Sequence, residues 1–205
     1  MGKIKFTKGE LKRQRDSLKQ YERYLPTLQL KKQQLQLEIL HQLSLFDEKR
    51  IILDKKIKQA KTWIGLFADR DFDIKPFLAI QELKSKTINI AGVDMLIFEK
   101  ALFPLADYDL FTTPLWVDMG IEVLREIIAF AEEVNIIENG IAILRQELRV
   151  TAQRVNLFEK VKIPEAEESI RLIKIYIGDQ MANAVGRSKV AKRKIEELSL
   201  EGTIV

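Results

Sequence analysis

A chain of 205 residues with 46% apolar and 31% charged side chains has the composition of a folded protein, which excludes wholesale disorder. It has no cysteine, so disulfides, thiolate metal ligands and cysteine nucleophiles are excluded, and its nine glycines and five prolines are few enough for long helices. The net charge of +4 hides a division: residues 1–36 carry ten Lys/Arg against three Asp/Glu, residues 171–205 seven against four, and residues 71–140 five against thirteen.

The first element begins at Thr7. Thr7 and Glu10 have capping-box spacing, and Phe6 and Leu11 stand at the staple positions around them. No apolar run approaches the roughly 20 residues that span a bilayer, and the opening MGKIKFTKGELKRQR lacks the apolar core of a signal peptide, so a cytoplasmic location is expected. Gly2 does not read as a myristoylation site, because that pattern needs Ser or Thr where Phe6 stands. A heptad then places Leu11, Leu18, Leu25, Lys32, Ile39, Phe46, Leu53 and Ala60 at one core position. The companion position reads Gln14, Tyr21, Leu28, Leu35, Gln42, Lys49, Lys56 and Trp63, a diluted seam of the kind found in an antiparallel pair. Leu30, Leu37 and Leu40 fall off this stripe and are available either to partner proteins or to a thicker local bundle. Pro26 lies inside the pattern, where it removes a backbone hydrogen bond and should kink the helix at a cost of about 3 kcal/mol.

Between about residues 69 and 117 the helical rhythm stops. DRDFDIKPF and the apolar turn through Leu83 predict a short helix after Pro76. Thr87 to Ile90 and Val93 to Phe98 are two β-capable runs about Ala91-Gly92, which predicts a hairpin. The following LFPLADYDLFTTPLW is an aromatic, acidic loop.

The second long helix is expected from Pro114 or Asp118. Val123, Ile127, Phe130, Val134, Ile137, Ile141, Leu144, Leu148, Thr151, Val155 and Phe158 alternate spacings of four and three without a break, the mark of a coiled-coil seam. Pro164 interrupts the stripe, which resumes in a new phase through Ile170, Ile173, Ile177, Met181, Ala184, Ala191, Ile195 and Leu198; the helix is expected to bend and continue. Helices of roughly 60 and 80 residues would measure about 90 and 120 Å at 1.5 Å per residue, more than a core of this chain covers. The expected fold is therefore mainly all-α, a long antiparallel two-helix coiled-coil hairpin with a small middle segment holding a short helix and a β-hairpin. Its parts are residues 1–68, 69–117 and 118–205, with both termini at the far tip. There Gly178, Ala182, Ala184 and Gly186 should lie level with Tyr21, Tyr24 and Leu25.

Nothing in the chain assembles an active site. His41 is the single histidine and sits between Leu40 and Gln42, which makes neither a metal site nor a catalytic dyad. There is no phosphate-binding GxxxxGK[ST] loop, so neither nucleotide nor other cofactor binding is expected. Glu165, Glu167 and Glu168 follow Pro164 as a first-turn acidic cluster favoured by the helix dipole.

Three stretches carry a family resemblance: Thr7 before a helix, LKKQQLQLEI at residues 30–39 with Lys31, Lys32 and Leu35, and TAQRVNLFEKVKIPEAEESIRLIK at residues 151–174. In the last, Arg154, Val155, Asn156, Ile163 and Pro164 fall on the family's Arg-Val-Asn and Ile-Pro residues, while Gln153 replaces the first of its usual paired arginines. On these residues the chain resembles the D subunits of the V-type and archaeal-type rotary ATPases, the central rotor shafts, over nearly its whole length. The resemblance implies a non-catalytic stalk component, peripheral to the membrane, that couples ion translocation to ATP synthesis or hydrolysis by rotation. It implies that the hairpin tip, with Lys8, Lys12, Arg13, Arg15, Lys189, Lys192 and Arg193, enters a hexamer of A and B subunits. It further implies that the middle segment, through Ile88, Ile90, Val93, Leu96 and Phe98, meets the F subunit or the lower stalk, where the funnel-shaped C (or d) subunit supports the base. The other reading of the basic arms is a free-standing coiled-coil adaptor or nucleic-acid-binding protein, although aromatic interleaving is poor.

Overall fold

The computed structural model describes residues 5–63, 65, 73–109 and 113–201, with side chains to residue 197. The readings of Gly2, of the boundary at residues 68 and 69, of the loop at 110–112 and of the Leu198 side chain lie outside the described residues. The elements in order are α1 (Lys8–Lys61), α2 (Lys75–Leu78), β1 (Glu82–Ile90), β2 (Val93–Leu102), α3 (Val117–Leu157), a π-helical segment (Phe158–Lys162) and α4 (Ile163–Glu201). Two compact units are formed, Met1–Leu30 with Ala152–Val205, and Lys31–Thr151.

Helix α1 starts where its cap dictates. The Glu10 amide donates to Thr7 Oγ1 at 3.2 Å and the Leu11 amide to the Thr7 carbonyl at 3.0 Å. The Glu10 carboxylate does not close the box; it accepts from Gln14 Nε2 at 2.8 Å. Every position of both heptad series from Leu11 to Trp63 is buried or half-buried, whereas Leu30, Leu37 and Leu40 are exposed. Pro26 stands inside α1 without ending it.

In the unit Lys31–Thr151, α1 and α3 run antiparallel. Lys31 pairs with Glu147 at 2.8 Å, Lys49 with Glu133 at 2.9 Å and Lys56 with Glu126 at 2.6 Å, so the partner number falls as the α1 number rises. The polar companion positions of the seam have a use: the Lys49 and Lys56 ammoniums also lie over the Phe130 ring, at 5.7 and 5.2 Å. Partly exposed pairs of this kind stabilise by at most about 1 kcal/mol each, so they select the antiparallel register more than they hold it. The holding is done by Leu35, Ile39 and Leu144, packed with Val93 and Met95 of the hairpin.

The hairpin is longer than the sequence indicated, pairing Glu82 with Leu102 through Ile90 with Val93, with a register shift between Lys84 and Ser85. Its two-residue turn has positive φ at both Ala91 (52°) and Gly92 (78°), the conformation that matches strand twist. The apolar run ending at Leu83 is therefore a correction: α2 stops at Leu78, and Leu83 belongs to β1, drawn into the ladder opposite Ala101. The hairpin can press against α3 because position 140 is glycine; a Cβ there would lie 2.7 Å from Met95 Cε. A second, smaller core joins Ile74, Val117 and Ile121 to Phe77, Leu78, Tyr108 and Trp116.

In the unit Met1–Leu30 with Ala152–Val205, Phe6 meets Tyr176 (ring centroids 5.1 Å apart) and Tyr21 stacks on Phe158 (5.3 Å, 30°). These contacts again run antiparallel, and they correct the expected level of the small residues. Tyr21 lies opposite Phe158, not opposite Gly178 to Gly186, and Ala184 lines a groove with Phe6 and Lys8. With Tyr21 set against Phe158, each step back toward Lys8 is a step forward in α4, and α1 runs out near Tyr176. The two ends of the pair are therefore offset rather than level: residues Gly178 to Glu197 of α4 are exposed throughout.

Candidate functional site

With no assembled catalytic cluster in the sequence, the functional candidates are surfaces, and burial separates those consumed by folding from those left free. Among the residues expected to meet partners through the hairpin, Val93 is 8% exposed inside the core, and Ile88 and Ile90 pack half-buried against it. The alternation of β2 turns Val93 and Met95 onto the helices. Phe98 is half-buried, and Leu96 and Ile97 remain exposed on the hairpin.

Leu37 and Leu40, exposed at 68% and 64%, line a groove of about 640 Å³ with Gln33, Gln36, Ile39 and Leu148. The groove exists because Ile39 and Leu148 face the seam while Leu37 and Leu40, on either side of Ile39 in the chain, face outward, giving α1 apolar surface on two sides. Ile51 continues the outer face one heptad row beyond Leu37 and Ser44.

The basic residues separate into two sets. Lys8, Lys12, Arg13 and Arg15 are exposed on the first turns of α1. Lys189, Lys192 and Arg193 are exposed on α4 past the start of α1, where Lys192 reaches Glu196 at 3.7 Å and Arg193 reaches Glu197 at 3.5 Å. On α4, Met181, Val185, Val190 and Ile195 are also exposed, at 50% or more.

The motif residues have distinct places. Thr7 caps α1, Lys31 pairs with Glu147, Lys32 is half-buried and Leu35 is fully buried. Val155 is buried between exposed Arg154 and Asn156, and the Ile163 amide donates to the Phe158 carbonyl, closing the π turn just before Pro164.

Sequence reading missed a polar clamp at the foot of α3. Arg125 Nε donates to the Phe77 carbonyl at 3.0 Å, its NH2 group donates to the Pro104 carbonyl at 2.6 Å, and the guanidinium lies over Phe103 at 5.4 Å. Tyr108 donates to Asp118 on the same side. One planar cation thereby ties α2 and the stretch after β2 to α3 through the Phe77 and Pro104 carbonyls. The signal was present: Arg125 is the single Lys or Arg between residues 101 and 140. Among the described residues no group of three or more His, Cys, Asp or Glu is placed to hold a metal ion, and no helix is long and apolar enough to cross a membrane.

The family model described as the D subunit of ATP synthase matches residues 10–193. The V-type ATP synthase D subunit of Borreliella burgdorferi is 44% identical over 195 residues, covering 95% of this chain and 96% of that protein. That of Chlamydia pneumoniae is 35% identical over 201 residues, covering 94% and 93%. A match of this extent places the protein in the family of ATP synthase D subunits.

Proposed function

We propose that the chain is the non-catalytic central shaft of a V-type or archaeal-type rotary ATPase, coupling ion movement through a membrane ring to ATP synthesis or hydrolysis in a catalytic hexamer. The observation that carries this reading is the paired seam. Leu35, Leu144 and Ile173 are fully buried along helices whose outer faces stay polar or free. Interlocked apolar packing resists sliding and unwinding, which a torque-bearing element needs. A pair of helices has no threefold symmetry, so three equivalent sites around it each meet a different face, and the difference in contact free energy biases each toward a different state.

In this reading the exposed turns of α4 and the first turns of α1, both basic, enter the cavity of the A and B subunits. Solvated charge there keeps the contact strong enough to register and weak enough to leave. The hairpin, through Leu96, Ile97 and Phe98, and the groove at Leu37 and Leu40 face the F subunit or the lower stalk, and the acidic foot of α3 rests toward the C (or d) subunit. The protein would lie in the cytoplasm, peripheral to the membrane.

The test is reconstitution with purified A and B subunits. A stoichiometric complex that gains rotation-coupled ATPase activity is expected. Joint replacement of Lys12, Arg13, Lys192 and Arg193 by Gln should weaken the complex and flatten its salt dependence. Failure to bind the hexamer, together with salt-dependent binding to DNA, would overturn the reading.

A further inference from the structure

The buried stripe changes phase between Phe158 and Ala166. Continued at heptad spacing from Val155 and Phe158, it would pass through residues 162, 165, 169 and 172; the buried residues are instead Ala166, Ile170 and Ile173, each one position later. One extra residue has entered the helix, and the π segment Phe158–Lys162 is where it is held. The Ile163 amide reaches five residues back to Phe158, while Leu157 and Ile163 on either side keep ordinary helical angles (φ −62°, ψ −44° and φ −66°, ψ −54°). Pro164, with no amide hydrogen, then removes the next bond, to the Lys160 carbonyl.

The facing helix is interrupted at the same level. Pro26 leaves the Glu22 carbonyl without its helical donor, and Tyr21, one residue before Glu22, stacks on Phe158 at 5.3 Å. The two interruptions flank this ring pair, each within about one turn of it. The packing is also thin here. Among the described residues no side chain of α1 before Leu35 is fully buried, and none lies buried between Val155 and Ala166. Both helices thus lose backbone bonds where the seam has least to hold them, the combination that marks a low-stability segment.

We propose that the Tyr21–Phe158 level is a torsional joint: under load the helix pair yields by local rewinding of the π turn and of the Pro26 turn, while the seams beyond keep their register. This rests on the shaft reading for its purpose, since a shaft loaded at one end would twist first at this level. The joint itself is a property of the isolated chain.

Amide hydrogen exchange on the full-length protein tests it. Amides of residues 158–165 and 22–30 should exchange at least about tenfold faster than those of 144–155 and 166–173. Deleting Glu159 removes the extra residue, so the π turn should close to an α turn and exchange there should slow by about the same factor. Spin labels at Arg154→Cys and Arg171→Cys need no deletion. Their distance distribution should be broader than that of Gln34→Cys and Ile51→Cys, which have the same spacing of 17 residues on the uninterrupted part of α1. Equal protection on and off the joint, or equal widths for the two label pairs, would overturn the joint and leave the family role standing. Failure of hexamer binding would remove the role and leave the joint.

Discussion

Thr151 is the polar member of the α3 seam, and its hydroxyl is buried without a hydrogen-bond partner among the described residues. A hydroxyl removed from water and left unpaired costs on the order of 1–3 kcal/mol, while valine has nearly the same shape and keeps the β-branch. Thr151→Val is expected to raise stability by about 1 kcal/mol in urea denaturation; a lower midpoint would mean that the hydroxyl is satisfied. Tyr108 supplies a second residue-level expectation. Its hydroxyl donates to the Asp118 carboxylate, and this bond first, then burial and the Asp118 charge, raise its pKa above the ordinary value, with Arg125 opposing. Because the folded value exceeds the unfolded one, the contribution is fully present below the unfolded value of about 10 and is lost as pH rises through the folded one. Tyr108→Phe should therefore remove one late-titrating phenolate from the absorbance titration and make the alkaline decline in stability shallower.

At the scale of the elements, the distinction between seam and outer face makes a sharp contrast available. Leu35 and Leu144 are 0% exposed and Leu37 is 68% exposed, two residues from Leu35 on the same helix. Leu144→Ala should cost about 2–5 kcal/mol, whereas Leu37→Gln should fall within about 0.5 kcal/mol of the parent and show itself in partner binding. Thermal denaturation of the two variants side by side checks this. Much at this scale was legible in the chain. Heptad spacing named the buried face of α1, the break at Pro164 marked a change of phase, and Ala91-Gly92 located the turn. What spacing left open was how the phase change is absorbed, since a stripe records which residues face inward and not whether the backbone widens or bends to keep them there. The partition of the hairpin was equally hidden: Val93 and Leu96 are both apolar residues of one strand, and only packing against α3, allowed by Gly140, tells the buried one from the free one.

For the molecule as a whole, α4 continues for about five turns past the level at which α1 starts, and those turns carry exposed Met181, Val185, Val190 and Ile195 beside basic residues. Truncation after Ile177 should leave the Phe6–Tyr176 and Tyr21–Phe158 contacts intact and hence the helix pairing folded. Binding to A and B subunits should weaken at least about tenfold, or roughly 1.4 kcal/mol. Size-exclusion co-elution with circular dichroism separates these outcomes. If binding were unchanged, the unpaired turns would not be part of the hexamer-facing surface. From its sequence alone the protein was committed to two long helices, a capped start, a tight hairpin and opposite charge at its middle and ends, because periodicity, capping and turn chemistry act over a few neighbouring residues. Only the tertiary structure decided which residues stand opposite one another, which apolar side chains the hairpin covers, and that the basic ends are offset. Those outcomes depend on pairings between residues more than a hundred positions apart, such as Lys31 with Glu147 and Tyr21 with Phe158, and local spacing leaves such pairings undetermined.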